Sequence, residues 1–409
     1  MMRWMRTGII SAAFFLMGYV VGNMNIPLVA QDDDLHHVIF EPLFQAYELI
    51  GWNYLEEVDD EVMVNGAIRG MLEALGDPYT NYVDPEYWDF VSNDLEGTIE
   101  GIGVVISAGE NDVERQVINV LPDTPAERSG VQVGDIFYQV NGEDVTTLNN
   151  LELAARVRGP AGTVVTIVFL RGEELVTFDV ERARFDVPNV EYHIIEDYDI
   201  AYISMAQFSS VSHDQLLEAI EALNINKRQG LIVDLRGNGG GYLTAAIDIA
   251  GLFIEEGKIL REEFANDRYM DFEISNGRAY QVDKDGNRIL YSTRIRYADI
   301  RVPIVLLVDE RSASAAELVA GAWQAHDVLT VMGEITFGKG TVQTYQDLMN
   351  GGGIRVTVAK WLTPNDEWIT GQGITPDIIV SVPEEHDPNT DEDIQLAEAI
   401  QFLIADVQN

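Results

Sequence analysis

The sequence predicts a multi-domain α/β protein, and three observations carry that reading. From about residue 199 onward, continuous apolar strands alternate with helices, as in a layered core whose sheet is covered on both faces. Before that, from Gly97, the texture is short β-runs punctuated by turns. Earlier still, residues 38–75 repeat apolar side chains at helical spacing. With 409 residues and 46% hydrophobic content, the chain can bury cores for two or three domains.

The N-terminus reads as a targeting segment. Arg3 and Arg6 form a positive n-region, an apolar run covers 8–21, and Leu28-Val29-Ala30 precedes an acidic stretch. This predicts a secretory signal cleaved after Ala30, or an uncleaved anchor extending to Met24 that could attach the chain to a membrane. Either version places the mature chain outside the cytoplasm, in the periplasm, the cell envelope or the medium.

The helical region has two apolar sets, Phe40, Leu43, Phe44, Tyr47 and Ile50, then Val64, Ala67, Ile68, Met71, Leu72 and Leu75. Gly76-Asp77-Pro78 stops the second helix. The β-rich region predicts strands at 117–120, 136–140, 164–170 and 175–180. Asn141-Gly142 and Arg171-Gly172 supply turns, and a helix over 150–157 is ended by Gly159-Pro160. The α/β region predicts strands at 200–204, 231–235 and 304–308, and helices at 213–223, 245–254 and 315–326. The polar stretch 264–297, with a hairpin tip at 283–287, is read as an inserted β-element or lid. An acidic linker leads to a last helix at 394–407.

Composition removes several function classes. The 26 basic against 68 acidic residues give −42, a surface that repels nucleic acid and anionic headgroups. With no cysteine, disulfides, thiolate zinc sites and cysteine nucleophiles are excluded. The six histidines show no metal-ligand spacing, and His36-His37 after three aspartates reads as part of a solvated acidic linker. No metal or cofactor is expected.

Three segments could carry chemistry. The strand 304–308 runs through Asp309-Glu310-Arg311-Ser312-Ala313-Ser314 into a helix, which would put a hydroxyl at a helix N-terminus where backbone N–H groups stabilise an oxyanion. Taken alone, Ser314-Ala315-Ala316-Glu317 is better explained as a capping box, and Ser312 is a rival nucleophile. In the second segment, Phe337-Gly338-Lys339-Gly340-Thr341-Val342-Gln343, Lys339 stands between glycines that permit close backbone approach, unlike Lys227, Lys258, Lys284 and Lys360. Lys339 and Gln343 are four apart and share one face. A glycine-rich hairpin with an exposed lysine explains this segment equally well. Third, Arg236-Gly237-Asn238-Gly239-Gly240-Gly241 frees backbone N–H groups to point into a site. A tight strand-to-helix connection is the ordinary reading, and no GK[ST] supports a phosphate cradle.

A lysine base must be neutral. Bringing an ordinary lysine near pKa 7 costs roughly 4 to 5 kcal/mol, and burial supplies shifts of up to about 3–5 units. Lys339 is therefore expected to be buried, with no carboxylate beside it. The long-range negative field of the chain works against neutrality but is screened over roughly 8 Å.

Together these segments resemble the C-terminal processing peptidases, the carboxyl-terminal or tail-specific proteases, from about residue 40 to the end. Gly76-Asp77-Pro78-Tyr79-Thr80, Gly101-Ile102-Gly103-Val104, Thr124-Pro125-Ala126 through Gly130, Gly134-Asp135, Asp234-Leu235-Arg236-Gly237-Asn238-Gly239-Gly240-Gly241, Ser312-Ala313-Ser314-Ala315, Thr336-Phe337-Gly338-Lys339-Gly340 and Gly371-Gln372-Gly373-Ile374-Thr375-Pro376-Asp377 stand in family order. The resemblance implies a Clp protease/crotonase-like α/β protease core with an inserted PDZ domain and an N-terminal helical arm. It implies a leader at 1–30, helices over 31–95, PDZ over 96–184, protease core over 185–385, and linker with helix over 386–409. It also implies Ser314 as nucleophile, Lys339 as base, Gln343 as the lysine's orienting partner, and backbone N–H groups of Gly240 and Ala315 as oxyanion donors. The implied partners are proteins or peptides with free C-termini, and a homo-oligomer is compatible with the chain.

In the PDZ region, Gly101, Ile102, Gly103 and Val104 would form the carboxylate nest. Leu151, Ala154 and Val157 would wall an apolar pocket, although core packing also claims that helix. Arg158 resembles the family's gating arginine. The chain departs from the family pattern in four places. Gly239 stands for a proline, Asp309 and Arg311 for Asn and Gly, and Ala316 for a serine, and Asp309 is expected to raise the lysine pKa. Two other functions compete: a catalytically weak PDZ scaffold that binds C-termini, and a Ser–His–Asp hydrolase using His326.

Overall fold

The computed structural model describes residues 33–93, 98–106, 115–148, 150–383 and 393–407, so the leader and most of the C-terminal linker lie outside the described residues. The chain divides into two units, Met1–Met71 and Leu72–Asn409. The first holds α1 (Asp33–Asn53) and the start of α2 (Asp60–Glu73). Asp59 starts α2 by accepting the N–H groups of Glu61 and Val62 at 2.9 and 3.2 Å, which satisfies donors the helix itself cannot. The stretch read as an acidic linker is helical from Asp33, so the first helix begins five residues before its apolar periodicity does. No described helix is long and apolar enough to cross a membrane.

The second unit opens with β1 (Asn81–Val83) and α3 (Pro85–Asn93). A small β-domain follows: β2 (Thr98–Gly101), β3 (Val104–Ile106), β4 (Val117–Val120), α4 (Pro125–Ser129), β5 (Ile136–Val140), β6 (Glu143–Asp144), α5 (Asn150–Val157), β7 (Val164–Arg171), β8 (Glu174–Glu181) and β9 (Ala183–Asp186). Its core gathers Ile102, Val117, Phe137, Leu153, Val157, Ile167 and Phe169. Arg182 is buried there, and among the described residues its hydrogen bonds include no carboxylate. Its guanidinium donates to the carbonyls of Val157 and Arg156 at the end of α5, and to Thr163. The domain is inserted between paired strands, for β2 and β9 run antiparallel with Gly101 opposite Ala183.

The α/β core follows with β10 (Val190–Ile195), β11 (Ile200–Met205), α6 (Ser212–Leu223), β12 (Gly230–Asp234), α7 (Leu243–Phe253), β13 (Gly257–Phe264), β14 (Arg268–Ser275), β15 (Arg278–Asp283), β16 (Arg288–Ser292), β17 (Ile304–Val308), α8 (Ala315–Ala325), β18 (Thr330–Gly333), β19 (Thr341–Asp347), β20 (Gly353–Leu362), β21 (Ile378–Ile379) and α9 (Ile394–Val407). Six strands order as β10-β11-β12-β17-β18-β21, parallel from β11 onward. The pleat alternates their side chains between two cores. Ile203, Val233 and Leu306 pack with α6, α7 and α8, whereas Ile200, Ile232, Val305 and Leu307 pack with Ala399, Ile400 and Leu403 of α9. Burial on both faces explains why these strands are apolar without alternation.

A second sheet orders as β1-β20-β13-β14-β15-β16, with β19 also paired to β20. The insertion read as a β-element or lid is a β-element built into this sheet. Phe272, Ile274, Ala279 and Ile295 are buried in the main core, so it packs as structure.

Leu307→Ala on β17 removes a fully buried side chain and is expected to cost about 2–5 kcal/mol. A urea melt should show this as a lowered midpoint at unchanged slope.

Candidate active site

Parallel strands end in three loops that interlock. The loop after β12 carries the glycines, the loop after β17 the serines and the loop after β18 the lysine. Its base is fixed by Arg236, which bridges Asp234 at 2.6 Å and Asp393, just before α9, at 2.8 Å, while Tyr202 donates to Asp234 at 2.7 Å. Asn238 is fully buried. Its side chain donates to Met205 O at 2.8 Å and its carbonyl receives Ala313 N–H at 2.9 Å. Phe337 N–H donates to Ser312 O at 3.0 Å, joining the lysine loop to the serine loop.

Ser314 is the N-cap residue of α8 at φ 55, ψ −113. Among residues other than glycine, a positive φ is costly and is held only where the surroundings impose it. An ordinary N-cap adopts extended backbone instead. The capping box is present on the Glu317 side, since Glu317 Oε2 accepts Ser314 N–H at 2.8 Å. It does more than cap. Glu317 is completely buried, and its carboxylate also accepts Lys339 N–H at 2.8 Å, Gly338 N–H at 2.6 Å and the Thr336 hydroxyl at 2.6 Å. One oxygen thus holds the backbone nitrogens of both Ser314 and Lys339.

Ser312, the rival nucleophile, is a strut. It is fully buried, donates to Leu235 O at 2.7 Å and accepts Asp309 N–H at 3.0 Å. His326 lies away from this cluster, its Nε2 2.8 Å from Lys258 O.

Lys339 is half-buried, and its pKa is lowered to about 8, first by desolvation and then by the positive charge of Arg355. Glu317 and Asp77 pull the other way. The expectation of no carboxylate nearby is therefore corrected: a carboxylate stands close, and desolvation outweighs it. The expected effect of Asp309 is also corrected. Its oxygens are spent on Gly237 N–H, Ser312 N–H and Arg311, and the acidic groups acting on the lysine are Glu317 and Asp77.

The flanking glycines are required by packing. A side chain on Gly338 would meet the backbone of Gly373 at 2.9 Å, and one on Gly340 would meet Thr370 at 2.7 Å. Tyr79 brings its ring to 5.0 Å from Lys339 Nζ. The turn holding it is tied by Asp77, which accepts Tyr79 N–H at 3.0 Å and the Thr80 hydroxyl at 2.6 Å. Sequence reasoning missed the part played by Tyr79, although the Gly76–Thr80 block was visible.

Two expected partners stand differently. Gln343 donates to Thr341 at 2.9 Å and Thr357 at 3.3 Å, and its carbonyl accepts from Arg355 at 3.2 Å, so its amide is engaged away from Lys339. Gly240 is pressed against Ser314, for a Cβ there would lie 2.8 Å from that of Ser314 and 2.9 Å from Ala315 N. Its N–H donates to Asn238 Oδ1 at 2.9 Å. Ala315 N–H, at the first position of α8, has no acceptor within the helix.

In the small β-domain, Val157 is a core residue, which corrects its assignment as a pocket wall, and the side chain of Ile102, expected in the carboxylate nest, is buried in the same core. Val104 packs partly buried against that core and Ala154 is half-buried, while the side chain of Leu151 lies outside the described residues. Gly103 (φ 88) crosses Thr124 too closely for any Cβ, and the carbonyls of Ile102 and Gly103 accept Ala126 and Leu121 N–H. Arg158 lies beside Gly101, its Cγ 3.5 Å from where a Cβ would stand.

Comparisons with known proteins agree with this architecture. The profile of peptidase family S41 matches residues 199–380, a PDZ domain profile residues 116–171, and the profile of the activating protease CtpB N-terminal domain residues 25–87. The chain is 33% identical over 379 residues to the carboxy-terminal processing protease CtpA of Bacillus subtilis (strain 168), covering 92% of this chain and 76% of that one. It is 32% identical over 343 residues to the carboxy-terminal-processing protease of Bartonella bacilliformis, covering 82% and 74%. Among solved structures it is similar to the photosystem II D1 C-terminal processing protease, at 26% identity and TM-score 0.48, covering 89% and 91%. The fold is a Clp protease-like α/β core with a PDZ insertion and an N-terminal region. The chain therefore belongs to the carboxy-terminal processing proteases, serine-type peptidases of family S41 with a PDZ domain.

Proposed function

We propose that this chain is an endopeptidase working through a Ser314–Lys339 dyad on extracytoplasmic proteins, cleaving near or from C-termini captured by its PDZ domain. One observation carries the reading: a desolvated lysine with pKa about 8 shares its Glu317 anchor with a serine held in a strained backbone conformation. Neutral Lys339 takes the proton of Ser314 Oγ as that oxygen attacks the scissile carbonyl. Ala315 N–H at the helix N-terminus receives the oxyanion, joined by Gly240 N–H once Asn238 releases it. The lysine ammonium then protonates the leaving amine, and water attacks the acyl-enzyme by the reverse sequence. The edge of β3 opposite β4 offers the substrate C-terminus a strand to extend, and Arg158 beside Gly101 would transmit its occupancy. Arg3, Arg6 and the apolar run after them support export. The second reading, a scaffold that binds C-termini without cutting, draws on the present engagement of Gln343 and Gly240 N–H elsewhere.

Turnover of an unstructured protein ending in apolar residues separates the readings. Ser314→Ala and Lys339→Ala should lose at least about 10³-fold, while Ser312→Ala and His326→Ala still cleave. Binding without cleavage by the wild type at every pH selects the scaffold. Because the lysine acts only when neutral, kcat/KM should fall by about tenfold per pH unit below the lysine pKa of about 8. Glu317→Gln replaces an acceptor-only group that serves four donors. It is expected to cost about 2–4 kcal/mol of stability in a thermal melt, with cleavage lost.

A further inference from the structure

Gln343 turns its amide oxygen toward Arg355 Nη2, at 3.2 Å. Arg355 sits on β20, opposite Asn81 of β1 and Tyr345 of β19, with its guanidinium 5.9 Å from the Tyr345 ring centroid. Its Nε is buried and has no acceptor among the described residues. The carboxylate that feels its charge, Asp77, spends its oxygens on Tyr79 N–H and the hydroxyls of Thr80 and Thr357. An arginine kept for stability alone would be expected to satisfy its buried donor.

We propose that Arg355 is a positioning residue of the peptidase site: its guanidinium holds the Gln343 amide and supplies a positive charge to the pocket in which Lys339 works. The inference rests on the Ser314–Lys339 reading above. Among the described residues, four groups act on the lysine. Glu317 from α8 and Asp77 from the turn before β1 favour its ammonium form, as does the Tyr79 ring through its face. Arg355 from β20 opposes it. Without Arg355, the remaining neighbours hold the proton on Lys339, so the base forms only at higher pH. The same substitution releases the Gln343 side chain.

The test is kcat/KM across about pH 6 to 10 for the wild type, Arg355→Gln, Arg355→Lys and Lys339→Ala, with melting temperatures alongside. In Arg355→Gln the acid limb should move to higher pH. Activity at neutral pH then falls about threefold to tenfold, while the alkaline plateau stays within about twofold of wild type. Arg355→Lys, which keeps the charge, should keep the wild-type limb. If Arg355→Gln does not fold, Arg355→Met takes its place with the same readout. A wild-type limb in the neutral variant, whether its rates are intact or uniformly lowered, overturns the inference while an inactive Lys339→Ala leaves the dyad standing. An Arg355→Lys limb displaced as far as that of Arg355→Gln also overturns it. Activity in Lys339→Ala sinks the dyad, and this inference with it.

Discussion

The buried carboxylate of Glu317 is the interaction on which the rest of the site depends. An isolated charge in a dry interior is prohibitively costly, so this one exists only because four donors converge on it. Three come from the lysine loop and one from the serine. The convergence fixes two loops that leave different strands, β17 and β18, and holds Ser314 and Lys339 in register. It also helps hold Ser314 in a backbone conformation that its own stereochemistry disfavours.

That solution creates a second problem, because an anion near Lys339 stabilises its ammonium form. Desolvation resolves most of it, and Arg355 contributes from the other side. The net charge of −42 matters less than these few contacts, since mobile ions screen distant surface charge while close, partly buried neighbours are screened much less. The electrostatics of the lysine are therefore a local balance among α8, β20 and the turn before β1.

The layered core is legible in the sequence because burial on both faces leaves uninterrupted apolar strands at β11, β12 and β17, with helices between them. The loops bearing Ser314, Lys339 and Gly240 are legible because glycines and short turns mark each strand end. Side-chain partners are less so. Glu317 announces a cap three residues from Ser314, but its reach to Lys339 crosses to another loop and has no periodic signature. Gln343 shares a face with Lys339 by spacing, yet β19 pairs with β20, whose Thr357 and Arg355 are its hydrogen-bond partners. Ile102 and Val157 sit in segments that serve both a groove and a core, and spacing alone could not divide them. Where Asp309 adds a charge to the family pattern, its turn with Gly237 and Ser312 consumes it.

The paired stems β2 and β9 bear on how the peptide-binding module is attached. Its first and last tethers are ladder neighbours, with Gly101 facing Ala183, so a whole domain stands where a hairpin would need only a short reversal. Because its ends are already neighbours, closing that ribbon costs little beyond the loop entropy of a domain that is already folded. The module is thus tied to the core through a two-stranded ribbon rather than a single flexible string.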